Sequence, residues 1–161
     1  MSITRSIEKP VTFGLIVSSR AFFNPAHALT ARKDLLAALA AKGYRHVIGE
    51  TGATPDGAVA TLKDADIYAA LFKAKRDEID GIIVSLANFG DEIAVVETIR
   101  RSGLKVPVLL QACNDELKQL DVKGRRDSYC GKISVANNFY QCGVKWTDTS
   151  EHTEDLAGPL F

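Results

Sequence analysis

Polar and aromatic side chains follow the short apolar segments of this sequence. Arg20 comes after the first segment, Asn88 and Phe89 come after the third, and Asn114 comes after the fourth. Amide and guanidinium groups beside an aromatic ring suit hydrogen bonding to a polyol, because they supply several donors and acceptors. Such a mixture suits ligand recognition better than the activation of a nucleophile. Together with the other residues that follow the strands, among them Ser18, Ser19, Glu50, Thr51, Gln111, Cys113 and Asp115, they predict polyol recognition and no catalytic residue.

Adjacent acids and isolated thiols are the remaining candidates for catalysis. Asp91 and Glu92 could form a general acid and base pair, but acids at the start of a helix usually complement its dipole, and we favour that interpretation. Cys113, Cys130 and Cys142 are spaced 17 and 12 residues apart, which fits neither a zinc motif nor a disulfide framework. We expect reduced, packed thiols, and a thiol-dependent enzyme built on Cys113 or Cys130 stays an alternative.

The histidines indicate no metal site in this chain. His27, His46 and His152 include no H-x-x-x-H or H-x-H pair, whereas a metal needs several converging imidazoles or carboxylates. We therefore predict no metal ligand here.

Nucleotide and flavin chemistry is disfavoured by the segment after the first strand. The chain has neither G-x-G-x-x-G nor G-x-x-x-x-G-K-[ST], the glycine-rich patterns that let backbone approach a phosphate. The bulky, glycine-free stretch 19–23 (SRAFF) does not resemble a flavin phosphate loop. Ser18-Ser19 and Ser85-Leu86 stand where a phosphoacceptor domain would carry acids. We predict no cofactor bound by this chain alone.

Composition limits the partners. The 161 residues include 20 basic and 20 acidic side chains, so the net charge is zero, and neither nucleic acid nor an anionic membrane is an expected partner. Apolar residues make up 46%, which is ordinary for one folded domain. The amino terminus lacks a secretion-signal core and no apolar run is long enough to span a membrane, so we expect a cytoplasmic protein.

Short apolar runs alternate with helical patterns along the chain. Because buried parallel strands read as continuous apolar runs, the sequence predicts a three-layer α/β/α fold with an open, parallel five-stranded sheet. The last helix is predicted at Asp127–Gln141, with Ile133, Ala136 and Tyr140 along one line. The predicted strands are Phe13–Val17, Arg45–Gly49, Gly81–Ser85, Val106–Leu110 and Val144–Thr147. Ligands of such sheets bind outside the carboxyl ends of the strands, where Arg20, Asn88, Phe89 and Asn114 fall.

One long motif connects the chain to a known family. Residues 123–139 read K-G-R-R-D-S-Y-C-G-K-I-S-V-A-N-N-F, followed by Gly143 and Thr147. This stretch resembles the L-fucose isomerase and L-arabinose isomerase-like family. The Asn88-Phe89-Gly90-Asp91-Glu92 turn and the Val108–Asn114 strand end occur upstream in the same order. The resemblance covers essentially the whole chain, but only the first third or so of a typical member.

The resemblance implies a flavodoxin-like amino-terminal domain with strand order 2-1-3-4-5. Members interconvert aldoses and ketoses with manganese or a similar divalent metal, whose ligands belong to later domains. This domain would cover the sugar pocket of a neighbouring subunit in a homo-oligomer, with Arg20, Asn88, Phe89 and Asn114 facing the sugar. The isolated chain, a truncated member of the family, is therefore expected to be inactive.

We predict a domain over residues 1–147 and a polar tail or linker to a missing domain over residues 148–161. The alternative function is a stand-alone carbohydrate-binding or regulatory flavodoxin-like module without catalysis.

Overall fold

A computed structural model describes residues 9–154 of the chain. Its five strands form one parallel sheet in the order β2-β1-β3-β4-β5. The flavodoxin-like three-layer fold and the predicted strand order are confirmed. The strands are β1 (Thr12–Ser18), β2 (Arg45–Val47), β3 (Gly81–Leu86), β4 (Val108–Ala112) and β5 (Thr147–Asp148), and the α-helices are α1 (Ala26–Ala41), α2 (Leu62–Ala74), α3 (Glu92–Ser102) and α4 (Ser128–Gln141).

The two faces of the sheet carry separate apolar cores. Helix α1 covers one face, where Leu15 and Val17 of β1 pack with Leu35. Helices α2, α3 and α4 cover the other face, where Ile16 packs with Phe72 and other buried residues of these helices. Successive side chains of a strand point to opposite faces, so β1 contributes to both cores.

Helix α1 begins and ends at turn-forming residues. The Asn24 side chain accepts a hydrogen bond from the backbone N–H of Ala26 at 3.0 Å, and Pro25 precedes the helix. Gly43 follows the helix with a φ of 72°, the left-handed conformation that glycine adopts without a Cβ clash. Pro25 is therefore the N-cap of the helix, and Gly43 follows its C-cap, Lys42.

Two strand predictions are displaced along the chain. Strand β4 lies two residues later than predicted, at Val108–Ala112. Strand β5 was predicted at Val144–Thr147 but occupies Thr147–Asp148. The backbone N–H of Val144 instead donates to the Phe139 carbonyl at 2.9 Å. This bond satisfies a carbonyl group at the carboxyl end of α4. Val144 therefore belongs to the turn after the helix, and β5 begins only at Thr147.

The buried face of α4 also differs from the predicted line. Ile133 is 55% exposed and Tyr140 is 79% exposed, whereas Gly131, Val135 and Phe139 are buried. A glycine in this position lets the helix approach the backbone of Phe89, since an added Cβ would overlap the Phe89 carbonyl. This close approach of Gly131 to the Phe89 backbone determines which face of α4 packs against the sheet.

Candidate functional site

The loops after β1 and β3 are joined by one buried amide. Asn88 is 0% exposed. Its Oδ1 accepts hydrogen bonds from the backbone N–H groups of Arg20 and Gly90, both at 3.1 Å, and its Nδ2 donates to Ser19 Oγ at 2.8 Å. These bonds fix the two loops against each other, because all three groups would lose a buried partner if the amide moved.

Gly90 completes the contact between these loops. Its φ is +74°, and a Cβ there would lie 2.5 Å from Ser18 Oγ. Ser18 Oγ also accepts a hydrogen bond from the backbone N–H of Asp91 at 3.1 Å. The left-handed turn at glycine therefore brings the start of α3 directly onto the carboxyl end of β1.

Arg20 carries the exposed charge of this group. Its guanidinium donates to Glu92 Oε2 at 2.7 Å and lies 3.7 Å from Asp91 Oδ2. It also lies over the Phe89 ring, 4.9 Å from the centroid. Cation–π contact and ion pairing together hold the guanidinium at the rim while part of it faces solvent. Arg20 and Phe89 thus form a charged and aromatic surface at the edge of the sheet.

Asp91 has a structural role at the start of α3. Its Oδ1 accepts a hydrogen bond from the backbone N–H of Ala94 at 2.8 Å, which caps the helix. Asp91 and Glu92 both lie beside the Arg20 guanidinium. This arrangement agrees with the structural interpretation of the acid pair.

Asn114 lines a separate small cavity at the same edge of the sheet. The cavity has a volume of about 190 Å³. Its lining is mostly polar and comes from α1, the end of β4 and the following loop: Thr30, Ala31, Asp34, Cys113, Asn114, Asp115, Glu116 and Arg126. Carboxylate, amide, hydroxyl and guanidinium groups in one small hollow can hydrogen-bond several hydroxyl groups of a ligand.

Arg126 connects the cavity to the loop that carries Phe89. Its Nη1 donates to the Ala87 carbonyl at 2.8 Å, one residue before Asn88. Its backbone N–H donates to Asp115 Oδ1 at 2.6 Å. The sequence does not reveal Arg126 as part of the site, because the long loop before α4 gives no periodic signal. Arg126 lies just before α4 in the sequence, and this position was the signal from which its role could have been inferred.

A buried histidine lies beneath this loop. His27 is 8% exposed, and its Nδ1 has no hydrogen-bond partner among the described residues. Burial lowers the pKa of His27 below 6.5, and the nearby Arg126 guanidinium lowers it further. The carboxylates of Asp115 and Glu116 and the Gly124 carbonyl partly oppose this shift. The imidazole is therefore neutral at pH 7.

A comparison with protein families finds a match over most of the chain. The family described as fucose/sulfoquinovose isomerase, N-terminal domain, matches residues 14–160. The chain belongs to this family. A search of curated proteins finds no match to this chain. The family resemblance found in the sequence is thereby confirmed.

The long motif of this isomerase N-terminal domain has a structural explanation. Arg126 holds the β3 loop, and Ser128 Oγ donates a short hydrogen bond to the Cys113 carbonyl. Gly131 packs against Phe89. Lys132 is 3% exposed, and its Nζ pairs with the Asp148 carboxylate and donates to the His152 carbonyl at 2.8 Å. The motif therefore ties the rim loops and the terminal segment to α4.

The segment that follows β5 packs on the rest of the domain as far as Glu154. The Glu154 backbone N–H donates to the Ala112 carbonyl at 2.9 Å, and Gln111 Nε2 donates to the Glu154 carbonyl at 2.8 Å. Residues 148–154 thus lie against α4 and the end of β4. Residues 155–161 of the predicted tail lie outside the described residues, and the assignment of 148–161 as a linker stays a prediction.

Three of the four predicted substrate-binding residues lie together. Arg20, Asn88 and Phe89 form one group, and Asn114 lines the neighbouring cavity. Their contact with a sugar stays a prediction. The structure adds that Asn88 holds the two loops, which its place after β3 alone could not reveal.

The Cys113 thiol lies beside an amide and a hydroxyl, and metal binding gains no support from the described residues. Cys113 is buried, with its Sγ 3.9 Å from Gln111 Nε2 and 4.0 Å from Ser85 Oγ. Neither neighbour is a base that could activate the thiol. Over residues 9–154, no group of three or more His, Cys, Asp or Glu side chains is placed to hold a metal ion. None of the helices in that range is long and apolar enough to cross a membrane.

Proposed function

We propose that this domain covers the sugar pocket of an aldose–ketose isomerase assembly and supplies sugar contacts from the rim of its sheet. The observation that supports the proposal is the placement of Arg20, Phe89 and the Asn114 cavity at one edge of the sheet. Ligands of open parallel sheets bind outside this edge. Membership of a sugar isomerase family makes a sugar the expected ligand.

The chemistry of isomerisation would be shared with other domains. Proton transfer between adjacent carbons needs a base, an acid and an electrophile at the carbonyl, and a divalent metal such as manganese commonly supplies the last. The proposal assigns this metal to later domains, as the family resemblance implies. The residues of this chain would orient the sugar: Arg20 and Asn114 by hydrogen bonds, and Phe89 by contact with an apolar ring face.

Exposed apolar side chains near the same edge support an assembly role. Phe22 is 61% exposed, and Leu117, Leu120 and Val122 in the loop after β4 are 87%, 60% and 56% exposed. The Arg125 guanidinium lies over the Phe22 ring at 5.8 Å, so the two loops are neighbours. Such side chains stand where another domain or subunit would cover the sugar pocket.

Two measurements on the 161-residue chain test the proposal. The chain should give no turnover of L-fucose, L-arabinose or sulfoquinovose with Mn²⁺, and turnover by pure protein would refute the division of labour. Calorimetric titration should detect weak binding of at least one of these sugars. Arg20→Gln and Asn114→Ala should each weaken that binding severalfold, while the exposed Asn137→Ala control should not. Equal sugar binding by all variants would contradict the proposed contact between the rim residues and the sugar.

The cavity at Asn114 favours one second candidate function. A polar hollow of about 190 Å³ enclosed within this chain could hold a small polyol without another domain. A stand-alone carbohydrate-binding or regulatory module would then bind its sugar tightly in isolation, whereas a covering domain binds weakly until assembled. The dissociation constant of the isolated chain distinguishes the two.

A further inference from the structure

A larger cavity lies at the opposite end of the sheet from the candidate sugar site. Its volume is about 780 Å³, which is within the usual range for small-molecule pockets. It opens between the carboxyl ends of α3 and α4 and the starts of β4 and β5. Because β4 separates the two ends of the sheet by about 13 Å, this cavity is independent of the sugar site.

The walls of this cavity are apolar. The apolar side chains that line it include Ile99 from α3, Leu104 and Val106 before β4, and Val144 and Trp146 before β5. Trp146 is partly buried and packs against Phe139, with ring centroids 5.8 Å apart. An indole beside branched aliphatic side chains suits an alkyl or aromatic ligand body, since burial of apolar surface supplies the binding free energy.

The charged side chains around the cavity have one sign. Arg100, Lys105 and Lys145 line it, and no acidic side chain among the described residues does so. Arg100 is paired with Glu97 in the last turns of α3, where a cation complements the helix dipole. Lys105 and Lys145 lie beyond the glycines that end α3 and α4, and both are exposed. Their charges are therefore placed to meet an anion at the mouth of the cavity.

We propose that this cavity binds a small amphipathic anion, namely a carboxylate on an alkyl or aromatic body. The body lies against Trp146 and Val106, and the carboxylate lies between the ammonium groups of Lys105 and Lys145. The site is separate from the proposed sugar contacts. Its occupation would be detected without any isomerase activity.

The single tryptophan of the chain provides a direct readout, because Trp146 lines the cavity. Titration with decanoate below its micellar concentration should give a saturable change in tryptophan emission. Decyltrimethylammonium has the same alkyl body with the opposite charge, and it should bind at least about tenfold more weakly. Equal affinity for the two ions, or a change that does not saturate, would overturn the proposal.

Charge-reversal variants test whether Lys105 and Lys145 bind the carboxylate. Lys105→Glu and Lys145→Glu should each weaken decanoate binding about fivefold, and Lys33→Glu, an exposed change on α1, should leave it unchanged. All three side chains are exposed, so the variants are expected to keep the wild-type circular dichroism spectrum and melting temperature. Unchanged decanoate affinity in both cavity variants would contradict the assignment. Sugar titrations should be unaffected, so this proposal can fail while the proposed function stands.

Discussion

A glycine in the first turn of α4 decides how closely that helix meets the rim loop. Gly131 is buried, and a Cβ added there would overlap the carbonyl oxygen and Cα of Phe89. Because the obstacle is backbone, it cannot rotate away as a side chain would. Gly131→Ala should lower the free energy of unfolding by about 3 kcal/mol or more, measured by chemical denaturation.

The matched control for this change is another glycine without close neighbours. A Cβ on Gly52 would meet nothing within 4 Å, and its backbone is not left-handed. Gly52→Ala should therefore change stability by less than about 1 kcal/mol, with a gain expected from the reduced freedom of the unfolded chain. Similar stabilities for Gly131→Ala and the wild type would contradict the close packing of α4.

The sequence predicted which residues meet at the rim better than it predicted their roles. Arg20, Asn88 and Phe89 follow neighbouring strands, so the geometry of parallel sheets brings them together. The inward direction of the Asn88 amide depends on hydrogen bonds across 68 and 69 residues of sequence. Arg126 was missed for a similar reason, since its partner Ala87 is 39 residues away. Local pattern contains no information on such pairings.

At the scale of elements, a buried lysine joins α4 to the segment that follows β5. Lys132 Nζ donates to Thr149 Oγ1 at 3.0 Å and to the carbonyls of Glu151 and His152 at 3.4 and 2.8 Å. Lys132→Met would keep the stem of the side chain but remove these three hydrogen bonds and the ion pair with Asp148. The expected loss is about 2–3 kcal/mol of stability, with faster proteolytic cleavage between residues 148 and 154.

The exposed Lys33→Met variant on α1 controls for loss of one positive charge. It should leave both the stability and the cleavage rate of the terminal segment unchanged, because Lys33 is exposed on the helix surface. If Lys132→Met were cleaved no faster than this control, residues 148–154 would not depend on the lysine. The bonds of Glu154 to Gln111 and the β4 backbone and the contact of His152 with Tyr129 would then be enough to hold the segment.

Element types were predictable along the chain, whereas helix faces were less so. Helical spacing alone would put Leu29 and Ile93 on the sheet-facing lines of α1 and α3, yet they are 46% and 54% exposed. In α1 the small residues Ala28 and Ala31 face the sheet instead, and in α3 Ala94 and Val95 do so. Close packing favours small side chains at helix–sheet contacts, and a count of large apolar residues overlooks them.

At the scale of the whole molecule, stability should depend on the protonation of His27. Its folded-state pKa lies below 6.5 because of burial and the Arg126 guanidinium, so the unfolded chain binds the proton more readily. Stability is therefore full above pH 6.5 and falls as the pH decreases through 6.5 towards the folded-state pKa. For one titrating group, the free energy of unfolding changes by at most about 1.4 kcal/mol per pH unit.

Denaturation between pH 7.5 and 5.5 checks this dependence. His27→Gln cannot titrate and should lose less stability over that range than the wild type. His46 lies in β2 and is exposed, so His46→Gln should follow the wild-type pH profile. Parallel profiles for His27→Gln and the wild type would show that the acid sensitivity arises elsewhere.

Self-association is the remaining expectation for the whole molecule, and it follows from the loop between β4 and α4. Leu117 and Leu120 are 87% and 60% exposed beside the candidate sugar site, where exposed apolar side chains favour contact with another surface. Leu117→Ser with Leu120→Ser should lower the apparent mass in concentration-dependent light scattering. Leu62→Ser, a change at a leucine on α2 that is 47% exposed, serves as the control and should leave the mass unchanged. A strictly monomeric wild-type chain at all concentrations would count against association through this loop, because the apolar surface would then be stable in water without a partner.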